Sequence, residues 1–240
     1  LACHNSLPLN DLRRKPNYIG FANPSRQKPC QGAVSRTTFG VEKTDIRGGE
    51  WPMLSEERNQ FLCSTDPGTP MGGLMRRYWA PFLLSSELPE PDCPPVRARL
   101  MGEDLIAFRD TKGRLGLIDE FCAHRGVSLW YGRNEECGIR CPYHGWKYDV
   151  TGQCVELPSE DDSTGTRQRI KLKSYACIEK AGIIWAYMGP PEQQPPEPAL
   201  EWTNVAPEQL YVSKRLQECN YLQAMEGGID SSHVTWLHGN

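Results

Sequence analysis

The sequence predicts a mainly β chain: a small antiparallel β-sandwich, a proline-rich linker, and the beginning of a second unit that contains a helix. Three observations carry this reading. Between Val96 and Met188, short apolar runs of strand length recur, each closed by a turn signal. Two Cys/His pairs fall between those runs, where a rigid sheet presents them on loops. Residues 189–198 read G-P-P-E-Q-Q-P-P-E-P, an extended, semi-rigid composition between two chemically distinct segments.

The composition excludes several classes. Of 240 residues, 38% are hydrophobic and 24% charged, which permits a packed core. A net charge of −3 and a pI of about 6.0 give no case for nucleic acid. No apolar run approaches the length of a membrane span, and the first residues do not resemble a signal peptide. Ten cysteines show no spacing typical of a small disulfide framework, so those outside the Cys/His pairs are expected to be reduced. A cytoplasmic location follows as the expectation.

Residues 1–52 are rich in Pro, Arg, Lys, Asn and Gly and show no sustained apolar period, so they are not expected to fold alone. Cys3, His4 and Cys30 there lack motif spacing. Met53 is the first methionine and follows Gly48-Gly49-Glu50, which a purine-rich ribosome-binding site could encode. Translation is expected to start at Met53, with residues 1–52 as upstream sequence read in frame; the encoding DNA would decide. Residues 53–188 then form an entry segment and the sandwich. Ser55, Glu56 and Glu57 suit the start of a helix running to about Cys63, and Asp66-Pro67-Gly68-Thr69-Pro70 breaks the chain. Arg76, Arg77, Tyr78 and Trp79 read either as a partner contact or as a packed edge with solvated arginines. Strands are predicted around Val96–Met101, Leu105–Phe108, Leu115–Ile118, Ile139, Trp146–Val150, Ala176–Glu179 and Ile183–Met188. Thr151-Gly152 and Ala181-Gly182 are the hairpin signals.

The chemistry concentrates between Phe121 and Trp146. Cys122 and His124 form a C-x-H pair, Cys141 and His144 a C-x-x-H pair. Thiolate and imidazole at these spacings can hold zinc or an iron–sulfur cluster. Gly126 and Gly145 follow the histidines where a chain would turn tightly, Pro142 stiffens the second loop, and Trp146 can shield it. The run C-x-H-R-G followed by C-P-Y-H-G-W resembles the signature of Rieske non-haem iron oxygenases. In that arrangement two Cys bind one iron of a 2Fe–2S centre and two His the other, which makes the cluster less negative and raises its potential. The segment from Asp66 to Trp79 is similar to the entry segment of phthalate dioxygenase-type oxygenases.

Beyond the linker, Tyr211–Gln217 reads as a strand opening residues 199–240. There follows D-x-x-H-x-x-x-x-H, with Asp230, His233 and His238. Asp230 and His233 are three apart and share a helical face, whereas His238 can join His233 only if the helix ends or deforms around Val234–Leu237. Glu226 falls on the same helical face as Asp230 and His233, and Asn220 suits the helix N-terminus. This motif resembles the mononuclear iron site of the same oxygenases, and the wording M-E-G-G-I-D-S-S-H-V is most similar to phthalate 4,5-dioxygenase-type oxygenase subunits.

The resemblance spans about Met53 to Asn240 and implies the rest. His233 and His238 would hold Fe(II), and Asp230 would bridge to a Rieske histidine of a neighbouring subunit. The second unit would be the beginning of an α+β, helix-grip-like catalytic domain, whose third carboxylate ligand is not in this chain. The subunit would be a bacterial terminal oxygenase that works with a separate flavin and iron–sulfur reductase, assembles as a trimer or a multiple of it, and uses O2 on an aromatic, carboxylated substrate. An aryl O-demethylase of the same family, a Rieske electron carrier and a structural zinc protein are the alternatives. The chain is expected to be part of a longer subunit, to hold its cluster, and to lack turnover alone.

Overall fold

The computed structural model describes residues 54–161, 163 and 165–239. The expectations for residues 1–52, and the start at Met53, lie outside the described residues. No helix among the described residues is long and apolar enough to cross a membrane.

Helix α1 (Glu56–Cys63) begins where the sequence places it: the Ser55 hydroxyl accepts the Arg58 amide at 3.3 Å, with two glutamates in the first turn. The predicted break follows. A short helix α2 (Pro70–Met75), which the sequence reading left out, then starts from Thr69, whose hydroxyl accepts the Gly72 amide. Pro70 stands at the first helical position, where a missing N–H costs nothing.

The strands are β1 (Ala80–Leu84), β2 (Val96–Leu100), β3 (Glu103–Arg109), β4 (Leu115–Asp119), β5 (Arg133–Glu135), β6 (Gly138–Arg140), β7 (Lys147–Tyr148), β8 (Cys154–Glu156), β9 (Ala176–Lys180) and β10 (Ile183–Tyr187), with a single-turn helix α3 (Thr166–Arg169) before β9. They form three antiparallel sheets, ordered β1-β10-β9, β2-β3-β4 and β5-β6-β7-β8. The predicted sandwich is therefore three layers deep. Strand β3 is its middle wall, because alternate residues of a strand face opposite sides. Leu105 and Ala107 enter one core with Phe82, Leu117 and Ile184. Ile106 and Phe108 enter the other with Ile118, Leu129, Ile139 and Tyr148. Ala181 and Gly182, both at positive φ, turn β9 into β10 as a two-residue hairpin.

Buried Glu103 ties the entry segment to this frame. It accepts from Arg76 at 3.0 Å, from Lys173 at 2.6 Å and from the Tyr175 hydroxyl at 2.7 Å. Arg76 also donates to the Thr65 and Met101 carbonyls. At 12% side-chain exposure, Arg76 is part of the packed edge, which corrects the reading of it as a solvated arginine. Arg77 and Tyr78 are exposed, and the Trp79 indole donates to the carbonyls of Pro195 and Pro196. The linker is thus pinned along the sandwich, with Tyr187 donating to Pro190 and Lys180 to Pro198.

The predicted strand Tyr211–Gln217 does not form. It has no regular structure, and among the described residues no strand lies beside it to complete a ladder. Lys214 fastens it instead, through an ion pair with Glu87 at 2.5 Å. Helix α4 (Tyr221–Ile229) follows, capped by the Asn220 side chain as expected and leaning on α1 through the Tyr221 hydroxyl, which donates to Leu62 at 2.5 Å. It stops at Asp230, whose extended backbone (φ −73°, ψ 102°) separates it from helix α5 (Ser231–Leu237). Glu226 and His233 therefore lie on different helices, and the continuous face expected for Glu226, Asp230 and His233 is overturned.

Candidate metal centres

The two Cys/His loops share one hydrogen-bond pattern. Each cysteine amide donates to the carbonyl five residues on, Cys122 to Val127 at 2.9 Å and Cys141 to Trp146 at 2.8 Å. Each cysteine carbonyl accepts from the glycine four residues on, Gly126 at 2.9 Å and Gly145 at 3.1 Å. Those glycines sit at φ +67° and +74°, where a side chain is strained. At Gly145 a Cβ would also meet Pro158 at 2.8 Å. Short-range bonds alone fold both loops the same way, although His124 is two residues past its cysteine and His144 three.

This brings all four predicted side chains together. Cys122 and Cys141 are both buried. Burial pushes the Cys141 thiol up; the Tyr143 and His144 amides act against this, and the neighbouring Cys122 thiol adds to it. The His124 and His144 rings lie 4.5 Å apart between centroids. Trp146 stacks on His124 at 4.5 Å with 7° between the planes, and its indole donates to Ser159 at 3.3 Å. The outward nitrogen of His124, Nε2, lies 3.9 Å from Glu160. Its Nδ1 is buried with no hydrogen-bond partner. Such an orphan costs about 1–3 kcal/mol unless something ligates it.

These donors fit a 2Fe–2S cluster of the Rieske type. That cluster takes two thiolates on one iron and two imidazoles on the other, and the loops supply paired thiols, paired rings and an unpartnered inward nitrogen. Among the described residues no three Cys, His, Asp or Glu side chains converge on a single-ion site, at these loops or elsewhere.

Sequence reasoning missed the supports of this centre. Glu120, buried beside the first loop, accepts from Arg97 at 2.7 Å and from Ser128 at 2.5 Å, and the Arg97 guanidinium lies 4.4 Å over the Trp130 ring. Arg140 donates to the Gly145 carbonyl of the second loop at 3.0 Å and pairs with Glu135 and Glu156. Tyr148 lies wholly buried with its hydroxyl 3.2 Å from Cys122 Sγ. Arg97 is 23 residues from Glu120 and Tyr148 is 26 from Cys122, so no local signal announced those pairs. Among the described residues the other cysteines are not joined in disulfides.

The second motif is arranged differently. His233 lies on α5 and His238 caps its end, with ring centroids 5.7 Å apart. The helix ends at Leu237, which is the condition under which the two rings can meet. Asp230 caps the start of α5 by accepting the Ser232 amide at 2.9 Å, and its other oxygen is 3.4 Å from His233 Nδ1. The Ser232 amide first, and then His233, hold the Asp230 carboxyl below the usual carboxylate range. Around them Ile229, Trp236 and Leu237 are 75%, 87% and 71% exposed.

Comparison with known proteins covers both centres. Residues 78–176 match the Rieske [2Fe-2S] domain, and residues 186–240 match a domain described as LigXa C-terminal domain like. Over 188 residues the chain is 47% identical to the phthalate 4,5-dioxygenase oxygenase subunit of Pseudomonas putida, covering 78% of this chain and 43% of that protein. It is 45% identical to the 3-chlorobenzoate-3,4-dioxygenase oxygenase subunit of Comamonas testosteroni, covering 78% and 43%. It is 41% identical to the 5,5'-dehydrodivanillate O-demethylase oxygenase subunit of a Sphingobium strain, covering 78% and 44%. The chain thus spans about two fifths of the length of these curated relatives.

Proposed function

Because this chain belongs to the Rieske non-haem iron oxygenases, we propose that it serves in a terminal oxygenase that hydroxylates an aromatic, carboxylated substrate. The observation that carries this is the joint presence of the two motifs: the paired Cys/His loops and, behind the pinned linker, the Asp230-His233-His238 segment. An electron carrier has no use for the second. When bound, a Rieske cluster passes single electrons and a mononuclear iron activates dioxygen. The chain's own residues then have defined tasks. Cys122 and Cys141 hold one side of the cluster, His124 and His144 the other. Trp146 fixes the His124 ring and keeps water from it. His233 and His238 would hold the mononuclear iron, and Asp230 would meet a Rieske imidazole of a neighbouring subunit in a trimer or a multiple of it. A separate flavin and iron–sulfur reductase supplies electrons, in the bacterial cytoplasm.

Similarity to an O-demethylase subunit supports a second reading, removal of an aryl methyl ether by the same centres. One experiment tests both. The oxygenase polypeptide that carries these residues, with its reductase, is given labelled dioxygen and a set of aromatic acids and methoxyarenes. Two labelled oxygens in a cis-diol support dihydroxylation; formaldehyde released with a phenol supports demethylation. A cluster that cycles between oxidised and reduced states while no substrate incorporates label and no formaldehyde is released would overturn the oxygenase reading and leave a carrier.

A further inference from the structure

Residues 199–220 join the linker to helix α4, and their own regular structure does not place that helix. They hold only single turns, at Glu201–Asn204 and Pro207–Gln209, and the strand-like stretch 211–217 forms no ladder among the described residues. A flexible chain of this length wanders roughly 25 Å between its ends. Side chains tie the path down instead, and the ties share one origin. The Trp79 indole donates to the carbonyls of Pro195 and Pro196, at 3.1 Å each. The Lys214 ammonium lies 2.6 and 2.5 Å from the two carboxylate oxygens of Glu87. The Tyr221 hydroxyl donates to the Leu62 carbonyl at 2.5 Å. All three anchors, Leu62, Trp79 and Glu87, precede the cluster loops in the chain. Glu87 is itself fixed, because its Oε2 accepts the Leu84 amide at 2.9 Å where β1 ends. The side chains of Lys214 and Glu87 are 11% and 22% exposed, so salt screens their pair poorly. Beside Tyr221, α1 and α4 meet again: burial, and then Glu226 on α4, push the Cys63 thiol up.

We propose that residues 62–87 form a seat that positions the Asp230-His233-His238 segment within its own chain, and that Lys214 and Tyr221 are the positioning residues that hold it there. This rests on the reading of that segment as the mononuclear iron site. In this scheme neither residue meets metal or substrate. They act through the start of α4, whose far end carries Asp230 as the cap of α5. Helix α4 is nine residues long, about 13 Å, so a small tilt at Tyr221 is carried to Asp230 as a shift of about an ångström. A misplacement of about 1 Å in a reacting group can cost on the order of a hundredfold in rate.

The test uses the full oxygenase polypeptide that carries these residues, with its reductase. Lys214→Gln removes the ammonium, Lys214→Arg keeps a charge for Glu87, and Tyr221→Phe removes one hydroxyl. Cluster iron, sulfide and midpoint potential are measured first, then mononuclear iron, amide exchange in α4 and single-turnover oxidation of the cluster. Lys214→Gln and Tyr221→Phe are expected to keep the cluster and its potential, to exchange α4 amides faster, and to pass electrons about tenfold more slowly. Lys214→Arg should return most of the rate. Loss of mononuclear iron in Lys214→Gln, beside an intact cluster at unchanged potential, would also support the seat, since the damage is confined to the second motif. Wild-type transfer in both Lys214→Gln and Tyr221→Phe, with both metals bound, would overturn the proposal whatever the exchange. Should Lys214→Gln not fold, Tyr221→Phe decides alone by the same readings. A wild-type protein that passes no electrons to the second motif would instead defeat the iron reading, and unchanged α4 exchange in the variants would then still overturn the seat.

Discussion

The Cys/His loops and the α4–α5 segment each gather histidines for a metal, yet they do so by opposite means. In the loops, backbone bonds four and five residues long fix each cysteine, two glycines at positive φ close the turns, and both thiols are buried. In the segment, one cap and one helix end bring His233 to His238, while Trp236 and Leu237 beside them stay largely exposed. The first geometry is written into its own short stretch of chain. The second depends on packing that these described residues do not provide for themselves. The lesson is that a ligand motif can be equally legible in two places and differently preorganised in each.

The sharpest way to break this contrast is to remove a ligand from each side. Cys122→Ser or Cys141→Ser should abolish iron–sulfur uptake and its visible spectrum, because a hydroxyl is a poor substitute for thiolate at iron. His144→Cys should instead keep a 2Fe–2S centre at lower potential, since a third thiolate ligand adds negative charge. His233→Ala and His238→Ala should leave iron, sulfide and spectrum of the first centre unchanged. Loss of the visible cluster in the His233 or His238 proteins would show that the two regions are not independent.

A second test weighs the scaffold. Burial alone would push the Glu103 carboxyl up, but Lys173, Tyr175 and Arg76 donate to it and hold it below its ordinary value. Its folded value therefore lies below its unfolded value of about 4.3. The stability it contributes is present above that unfolded value and is lost as pH falls through the folded one. Glu103→Gln should cost about 3 kcal/mol in urea unfolding at neutral pH, the scale for breaking a buried pair. The gap between the two proteins should narrow below about pH 4. A gap that stays constant across that range would remove Glu103 as the cause. Hydrogen exchange in α5, remote from this pair, should not change.

What the sequence made legible follows the same division between local and distant causes. The tight turns at Gly126 and Gly145, the Ser55 and Asn220 caps and the Ala181-Gly182 hairpin are local, and they were read correctly. Strand β5, reading R-N-E, and strand β1, with Pro81 in it, carry no apolar alternation; they are strands because β6 and β10 lie beside them. Tyr211–Gln217 is the converse, a strand-like composition with no neighbour among the described residues. Arg76 was misread because its partner, Glu103, lies 27 residues away. Glu226 was misread because a helical period was carried through Asp230, where the backbone turns extended.

The smallest effect belongs to Asp230, and it separates two tasks that one residue holds. As a cap it accepts the Ser232 amide, and as a charge it faces His233. Asparagine caps about as well as aspartate, whereas alanine does not. Asp230→Ala should therefore speed amide exchange in α5 by about fivefold, and Asp230→Asn should leave that exchange nearly unchanged. If the charge also orients a histidine that passes electrons, Asp230→Asn should slow single-turnover oxidation of the cluster with both metals still bound, since a neutral amide cannot stabilise the imidazole in the same way. Unimpaired oxidation in the asparagine protein would confine Asp230 to capping. Equal loosening of α5 by asparagine and alanine would point the other way, to a helix held by the charge next to His233 and not by the cap.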